Sequence, residues 1–515
     1  MATVTADLPD DDAPCPTSAP AGFGAAAAAV LVFTSSAAVL VVEITALRLL
    51  APYLGLTLET STLVIGIALS AIALGSWAGG RISDRVDPRR LIGQTLGASG
   101  VVVAFTPAAV RAAAEWAPPT LLLVATLTIL LPGALLSAVT PMVTKLRLTD
   151  LTETGTIVGS LSGVGTVGAI IGTVMTGFVL IARVPVSAIL VGLGLALVLS
   201  GIVFEWRLRA WNRLNAVGLT AAVALAGLAA YSAPGGCDAE TQYHCVRVVA
   251  DADHEGGRTL VLDGIRHSYV NIEDPEVLQF AYVRAIASAV ETAFPGADPL
   301  QAYHLGGGGM TFPRYLSATR PGTQSLVSEI DAGVVSIDRE AFGVEPDSGI
   351  AVRVEDGRIA LRRLPSESRD VVVGDAFGGV SVPWHLTTRE ALEDVRRVLT
   401  DDGVYVANLI DHADLEFVRA ETATLATVFA NILVMGERRN LGIPSQTGVD
   451  GGNFVILASD RPVDPVAVQS SLDARSTAWG VLSGDELTAW IDDAAILTDD
   501  FAPVDQLLTP NRPQT

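Results

Sequence analysis

Residues 302–331 read AYHLGGGGMTFPRYLSATRPGTQSLVSEID, and this stretch decides the fold of the C-terminal half. A short apolar strand ends in four glycines, a helix begins near Thr311, and a second apolar strand ends in acidic residues. Strands that alternate with helices are typical of a parallel α/β sheet. Glycines after a strand let the backbone approach a ligand, and the helix N-terminus behind them favours a polar group. The stretch predicts a Rossmann-like domain with a binding loop at Gly306, Gly307 and Gly308.

An acidic residue at the tip of the second strand can accept both hydroxyls of a ribose. Glu329 lies 21 residues after Gly308, close to the separation of about 20 that nucleotide sites use. A dinucleotide loop would have a third glycine at position 311, which is Thr311. The pattern therefore disfavours NAD and favours a mononucleoside such as an S-adenosyl compound. The alternative is a tight turn with a purely structural role.

The rest of the C-terminal half divides at about residue 295. Residues 238–295 predict a β-hairpin region and a linking helix, with strands Tyr243–Val249 and Thr259–Asp263 and a helix over Val277–Thr292. Residues 296–515 predict the Rossmann-like domain. Its further strands are expected at Ile350–Val354, Val371–Val373, Gly403–Asn408 and Asn453–Ala458.

The N-terminal half has a different composition. The chain is 50% hydrophobic yet 17% charged, and the charge is concentrated outside long apolar runs. A helix that crosses a bilayer needs about 20 apolar residues. Residues 1–22 predict an acidic disordered leader, and residues 23–233 predict a multi-pass α-helical membrane bundle of about seven helices. The runs lie near 26–50, 61–80, 91–110, 119–140, 157–182, 186–204 and 214–232.

The loops between these runs differ in charge, which bears on sidedness. Basic residues concentrate after the second, fourth and sixth runs, at Arg81, Arg85, Arg89, Arg90, Lys145, Arg147, Arg207, Arg209 and Arg213. The positive-inside rule places those loops in the cytoplasm, so seven spans would put the C-terminal half outside. An oxidising exterior would permit a disulfide between Cys237 and Cys245. If the run at 91–110 or 214–232 does not span, the C-terminal half lies in the cytoplasm instead.

The formal net charge of −22 excludes one class of partner. Nucleic-acid binding needs clustered Lys and Arg on the binding face, so no nucleic-acid partner is expected. The expected partners are small nucleoside and amine molecules and the lipid bilayer, and a homodimer is compatible with the sequence. No metal site is predicted.

Several ordered motifs resemble one known family. They are residues 240–248 (ETQYHCVRV), 260–264 (LVLDG), 306–314 (GGGGMTFPR), 329–331 (EID), 356–357 (DG), 370–376 (DVVVGDA) and 497–504 (LTDDFAPV). Together they resemble the spermidine synthases, which are polyamine aminopropyltransferases. With the apolar half included, the chain resembles bacterial proteins that fuse a transporter-like membrane part to a spermidine synthase-like part.

The resemblance implies a role for each matching position. Gly306, Gly307 and Gly308 would cradle the nucleoside, Glu329 would hold its ribose, and Asp356 would meet the adenine amino group. Asp375 would be the catalytic acid/base, because an amine must lose a proton as it displaces a sulfonium. The co-substrate would be decarboxylated S-adenosylmethionine or S-adenosylmethionine, and no cofactor would stay bound. The expected amine pocket consists of His244, Asp263, His267, Tyr282 and Ala376.

The departures from the family fall on the amine side. Gly309 replaces the aspartate of the glycine loop, and Phe377, Gly378 and Gly379 replace the segment that carries a second aspartate. Arg284 replaces the acid that follows the tyrosine of the family motif, and His267 replaces a glutamine. The nucleoside positions are therefore better matched than the amine positions. Two alternatives stay open beside aminopropyl transfer: a non-catalytic nucleoside- or polyamine-binding transport protein, and an S-adenosylmethionine-dependent methyltransferase.

Overall fold

A computed structural model of the chain describes residues 23–54, 58–148, 153–207, 213–233, 236–344, 348–444 and 450–508. It has a bundle of long apolar helices followed by a domain built on a mixed β-sheet. The predicted leader over residues 1–22 lies outside the described residues.

The bundle has seven long helices in its described residues. They are α1 (Ala25–Leu54), α2 (Leu58–Arg85), α3 (Pro88–Trp116), α4 (Leu121–Arg147), α5 (Thr154–Met175), α6 (Val186–Arg207) and α7 (Arg213–Ser232). Each apolar run of the sequence forms one helix, because runs this long satisfy their backbone hydrogen bonds internally. In the described part of the chain, six helices are long and apolar enough to cross a membrane, and the apolar stretch Val217–Ser232 is shorter. The number of spans stays a prediction.

Glycines set the close approach of α5 to α1. A Cβ placed on Gly172 would lie 2.7 Å from the backbone oxygen of Ala37, and one on Gly168 would collide with the backbone of Phe33. Small residues allow two helix backbones to pack directly in a lipid-like environment. A Cβ on Gly159 or Gly163 would meet no atom within 4 Å, so these two glycines do not contribute to this contact.

The sheet domain contacts one end of the bundle. Arg48, near the end of α1, donates hydrogen bonds to the backbone oxygens of Tyr243 and Thr241. Arg111, near the end of α3, lies 3.3 Å from the carboxylate of Glu240. Because successive helices alternate in direction, the basic last turns of α2, α4 and α6, with Arg85, Lys145, Arg147 and Arg207, lie at the opposite end.

A small antiparallel sheet opens the domain. Its strands are β1 (Ala239–Glu240), β2 (Cys245–Ala250), β3 (Gly257–Leu262) and β4 (Ile265–Asn271), in the order β1-β2-β3-β4. The predicted hairpin between the second and third of these strands is present. Asp263 and Gly264 form the next turn with φ angles of 49° and 83°, as a two-residue hairpin turn requires. A disulfide joins Cys237 to Cys245, whose Cα atoms are 5.3 Å apart.

The main sheet has eight strands in the order β12-β10-β11-β9-β8-β5-β6-β7. They are β5 (Gln301–Leu305), β6 (Gln324–Glu329), β7 (Ile350–Val354), β8 (Arg369–Gly374), β9 (Leu399–Asp411), β10 (Asn431–Glu437), β11 (Gly452–Ser459) and β12 (Trp479–Ser483). The run from β9 to β7 is parallel, and the other three strands are antiparallel. The α/β architecture with an N-terminal hairpin agrees with the predicted fold class.

Helices cover both faces of this sheet. They are α8 (Ala281–Ala293), α9 (Thr311–Thr319), α10 (Ala332–Phe342), α11 (Gly357–Arg363), α12 (Arg389–Val398), α13 (Glu416–Ala426), α14 (Pro465–Ala474), α15 (Gly484–Ile491) and α16 (Val504–Leu507). One core packs α11, α12, α13 and α15 on the sheet, and the other packs α8, α9 and α14. From β5 the chain winds outward to β7, then returns to place β8 on the other side of β5. The carboxyl ends of β5 and β8 therefore form a topological switch point, where open α/β sheets bind ligands.

Candidate active site

The loops that follow β5 and β8 touch at the switch point. The backbone amide of Asp375 donates to the oxygen of Leu305 at 2.9 Å. Gly306 has a φ of +90°, and a Cβ on it would lie 2.9 Å from the Cα of Ala376. Only glycine fits this conformation and this approach, which explains the glycine at the first position of the loop. A cavity of about 440 Å³ opens beside the contact.

The glycine loop holds the side chain of Glu329. The carboxylate accepts the amide hydrogen of Gly307 at 2.9 Å and, through its other oxygen, that of Asp331 at 2.9 Å. Burial raises the pKa of Glu329, and these two amides partly offset the effect. Glu329, which the spacing predicted as the acid of the site, thus lies at the end of β6, is bonded to the glycine loop and lines the cavity.

Asp356 lies at the same end of the cavity, after β7. It begins α11 by accepting the amide of Ile359 at 2.9 Å. Its second oxygen lies 3.2 Å from Nε2 of His385. A carboxylate and an imidazole beside a glycine loop provide both hydrogen-bond donors and acceptors, which suits the edge of a purine base.

Asp375 lies on the other side of the glycine loop, enclosed by protein and facing the cavity. One oxygen accepts a hydrogen bond from Nδ2 of Asn408 at 2.8 Å, and Asn453 in turn donates to Asn408 at 3.0 Å. Burial raises the pKa of Asp375 to about 7, although the hydrogen bond from Asn408 partly offsets the rise. A carboxyl group with a pKa near neutrality can both accept and return a proton, which is what general acid–base catalysis requires.

Histidines form the roof of the cavity on the Asp375 side. His244 Nδ1 lies 2.8 Å from Asp263, which also accepts the amide of Cys245 at 2.9 Å. The His267 ring lies 6.4 Å from that of His244, and burial lowers the pKa of His267 to about 4. Its Nε2 is buried without a partner among the described residues. Tyr282 donates to the backbone oxygen of His267 at 3.0 Å. His267 is therefore a neutral polar group at the cavity wall.

The structure brings most of the predicted site residues together. Lining the cavity are Gly306, Gly307, Gly308, Glu329, Asp356, Asp375, Ala376, His244, His267 and Tyr282. Asp263 does not line it and lies behind His244. Sequence reasoning missed Asn408, Asn453, Arg266, Gln279 and Trp479, which also line it. Asn408 could have been found, because it ends a predicted strand beside Asp375 at the same edge of the sheet.

The described residues contain no group of three or more His, Cys, Asp or Glu that could hold a metal ion. The polar groups of the candidate site are backbone N–H groups, carboxylates, asparagine side chains and imidazoles. They lie in two sets: Glu329, Asp356 and His385 on one side of the glycine loop, and Asp375 with Asn408 on the other.

Comparisons with known proteins place this domain among relatives. No family model matches the chain. A polyamine aminopropyltransferase of Vibrio vulnificus is 29% identical over 258 residues, which are 47% of this chain and 81% of that protein. A probable polyamine aminopropyl transferase of Bifidobacterium longum is 24% identical over 299 residues, 55% of this chain and 64% of that protein. The structure of a probable spermidine synthase from Corynebacterium glutamicum is 28% identical and covers 54% of this chain and 100% of that one, with a TM-score of 0.47. The two aminopropyltransferase relatives support a spermidine synthase-like domain over about half of the chain.

Proposed function

We propose that the sheet domain transfers an aminopropyl group from decarboxylated S-adenosylmethionine to an amine, with Asp375 as the acid/base. The observation that carries the proposal is the position of this carboxyl group. It is enclosed at the switch point beside the glycine loop, and its pKa of about 7 suits proton transfer at neutral pH. The polyamine aminopropyltransferases among its relatives support the same reaction class.

The nucleoside would bind at the end of the cavity below β6 and β7. Glu329 would accept the ribose hydroxyls, and Asp356 with His385 would meet the base. The backbone of Gly306, Gly307 and Gly308 would lie against the sugar and the sulfonium. Carboxylates near this end also stabilise the positive charge of a sulfonium donor.

The reaction is a displacement at the carbon beside the sulfonium. The nitrogen lone pair of the neutral acceptor amine forms a new C–N bond as the C–S bond breaks, and its electrons leave with sulfur as methylthioadenosine. The proton released by the nitrogen passes to Asp375. Asn408 donates a hydrogen bond to one carboxylate oxygen of Asp375 and so fixes the orientation of the group beside the cavity.

We further propose that the helical bundle anchors the domain in the cell membrane. The basic last turns of α2, α4 and α6 lie at the end of the bundle remote from the sheet domain, and the positive-inside rule assigns that end to the cytoplasm. The domain would then lie on the outer side, where the Cys237–Cys245 disulfide is compatible with the surroundings. Protease added to intact cells should remove the domain; protection until the membrane is opened would contradict this arrangement.

The test of the proposed function uses the full chain purified in detergent. Calorimetry should detect binding of decarboxylated S-adenosylmethionine and methylthioadenosine, and mass spectrometry should detect methylthioadenosine release when an amine is added. Failure of both nucleosides to bind would refute the nucleoside site. Methyl transfer from S-adenosylmethionine, or binding with no turnover for any amine, would refute aminopropyl transfer and leave the methyltransferase or transport hypothesis.

A further inference from the structure

The two sides of the cavity differ in their charged groups. Four carboxylates line it in the described part of the chain, at Glu329, Glu355, Asp356 and Asp375. Glu329 ends β6, and Glu355 and Asp356 follow β7, so these three lie on the nucleoside side. Asp375 alone follows β8, on the side that the acceptor would occupy. Asp263 is close by but already pairs with His244 and a backbone amide, and does not reach the cavity.

A cation is present on the acceptor side instead. Arg266 is an exposed residue of the cavity lining, with its guanidinium carbon 5.8 Å from the centre of the Phe280 ring, which lies 6.0 Å from the Tyr282 ring. Within the described residues it forms no ion pair. Its neighbour His267 is neutral because burial keeps its pKa near 4. The charged group that would meet the end of the acceptor remote from its reacting nitrogen is therefore the positive guanidinium of Arg266.

The loop after β8 also presents no side chain at the residue that lines the cavity beyond Phe377. This residue is Gly379, and a Cβ on it would meet no atom within 4 Å. The acceptor side is therefore open as well as poor in carboxylates. Other residues that line the cavity include the amides Asn408 and Asn453, which bond to each other, and the apolar side chains of Ile410 and Trp479.

A diamine is poorly matched to these surroundings. Its reacting nitrogen can be served by Asp375, but its far ammonium would meet the Arg266 guanidinium with no carboxylate to neutralise it. A carboxylate at the far end would instead form a charge-assisted hydrogen bond with that guanidinium.

We propose that the acceptor is an ω-amino acid, a primary amine whose far end carries a carboxylate that Arg266 binds. This inference rests on the proposed aminopropyl transfer. The amine nitrogen forms the C–N bond, the C–S bond breaks toward sulfur, and the nitrogen's proton goes to Asp375. The product is an N-(3-aminopropyl) amino acid, released together with methylthioadenosine.

The experiment compares acceptors on the full chain in detergent with decarboxylated S-adenosylmethionine as donor. The acceptors are 3-aminopropanoate, 4-aminobutanoate, 5-aminopentanoate and 6-aminohexanoate, against putrescine, cadaverine and butylamine. Methylthioadenosine and the aminopropylated products are measured by mass spectrometry. One ω-amino acid should give a kcat/KM at least about tenfold above that of every diamine, since attraction replaces repulsion at one end of the molecule.

Charge variants identify the residue that sets this preference. Arg266→Gln should lower kcat/KM for the amino acid by up to about fivefold, as expected for one exposed ion pair, and Arg266→Glu should reverse the order in favour of diamines. Arg247→Glu is the matched control, since Arg247 is an exposed arginine on the adjacent small sheet that does not line the cavity. It should leave the preference unchanged.

The outcomes separate this inference from the proposed function. If the wild-type protein transfers to diamines in preference to every amino acid, or if Arg266→Glu leaves the order of acceptors unchanged, the acceptor inference is wrong while aminopropyl transfer stands. If methylthioadenosine and the donor do not bind in calorimetry, the proposed function fails first. If they bind and a diamine is modified while no ω-amino acid is, the acceptor inference alone is overturned.

Discussion

The substitution Asp375→Asn tests the central carboxyl group in two independent ways. Asparagine keeps the size of the side chain and can still accept the hydrogen bond from Asn408 through its amide oxygen. It removes both the ionisable proton and the charge. Loss of a general base costs about 10²- to 10⁴-fold in rate, so kcat should fall by that factor while nucleoside affinity changes little.

The pH dependence follows from the raised pKa. Only the ionised form of Asp375 accepts a proton, so the wild-type kcat/KM should rise with pH and level off above about pH 7. The rise of kcat/KM with pH up to about pH 7 should be absent in Asp375→Asn. Stopped assays of methylthioadenosine release between pH 5 and pH 9 would measure both profiles.

The free energy of unfolding of the wild-type protein should fall as pH rises, whereas its kcat/KM should increase. Because the folded state holds the proton of Asp375 up to about pH 7 and the unfolded state releases it near 3.8, wild-type stability falls as pH rises between these values. A shift of about three pKa units corresponds to at most about 4 kcal/mol. Cavity water lowers this to about 1–2 kcal/mol. Asp375→Asn should therefore unfold at a higher temperature than wild type at pH 8 and at a similar one at pH 4.

The control for both measurements is Asp414→Asn, which changes an exposed aspartate in a loop of the same domain. It should alter neither the rate nor the pH dependence of unfolding. Turnover by Asp375→Asn within tenfold of wild type, with the same acidic limb, would show that another group takes the proton.

Three further outcomes are expected. Glu329→Ala should weaken methylthioadenosine binding in calorimetry about 10- to 100-fold, because it removes charge-assisted acceptors from the glycine loop; unchanged affinity would rule out the ribose role. Cys245→Ser should lower the free energy of unfolding by about 2–3 kcal/mol through loss of the closed loop to Cys237, and a reductant should mimic it only in the wild type. Gly309→Asp, which restores the family residue, should destabilise the fold by about 1–3 kcal/mol, because Gly309 has a φ of +79° and a Cβ there would collide with Ser268; a normal melting temperature would contradict this reason.

Local sequence signals located most of the architecture. The apolar runs marked the helices of the bundle, since run length and hydropathy are properties of the chain alone. The strand, glycine loop and acid at Gly306 to Glu329 were recognisable because a fixed spacing joins them. The β4 strand was missed, although Asp263-Gly264 is a strong hairpin signal that would have indicated it.

The parts that could not be predicted depend on contacts distant in sequence. The antiparallel extension of the sheet by β10 and β12 follows from pairing with β11, which no local pattern specifies. The raised pKa of Asp375 depends on its burial in the folded domain, and the hydrogen bond that partly offsets the rise comes from Asn408 on β9. The bond between Cys237 and Cys245 was left open, because spacing allowed it without requiring it.

The arginine contacts between the bundle and the small sheet have a consequence for any attempt to cut the chain in two. If the domain were excised at residue 236, the backbone oxygens of Thr241 and Tyr243 would lose the donors that Arg48 supplies. Glu240 would likewise keep its charge without Arg111. Both losses fall on the segment that carries His244 into the cavity roof. A fragment cut at residue 236 would therefore have a less well ordered segment at the position where His244 completes the pocket. The bundle thus helps to position the site, as the sheet does.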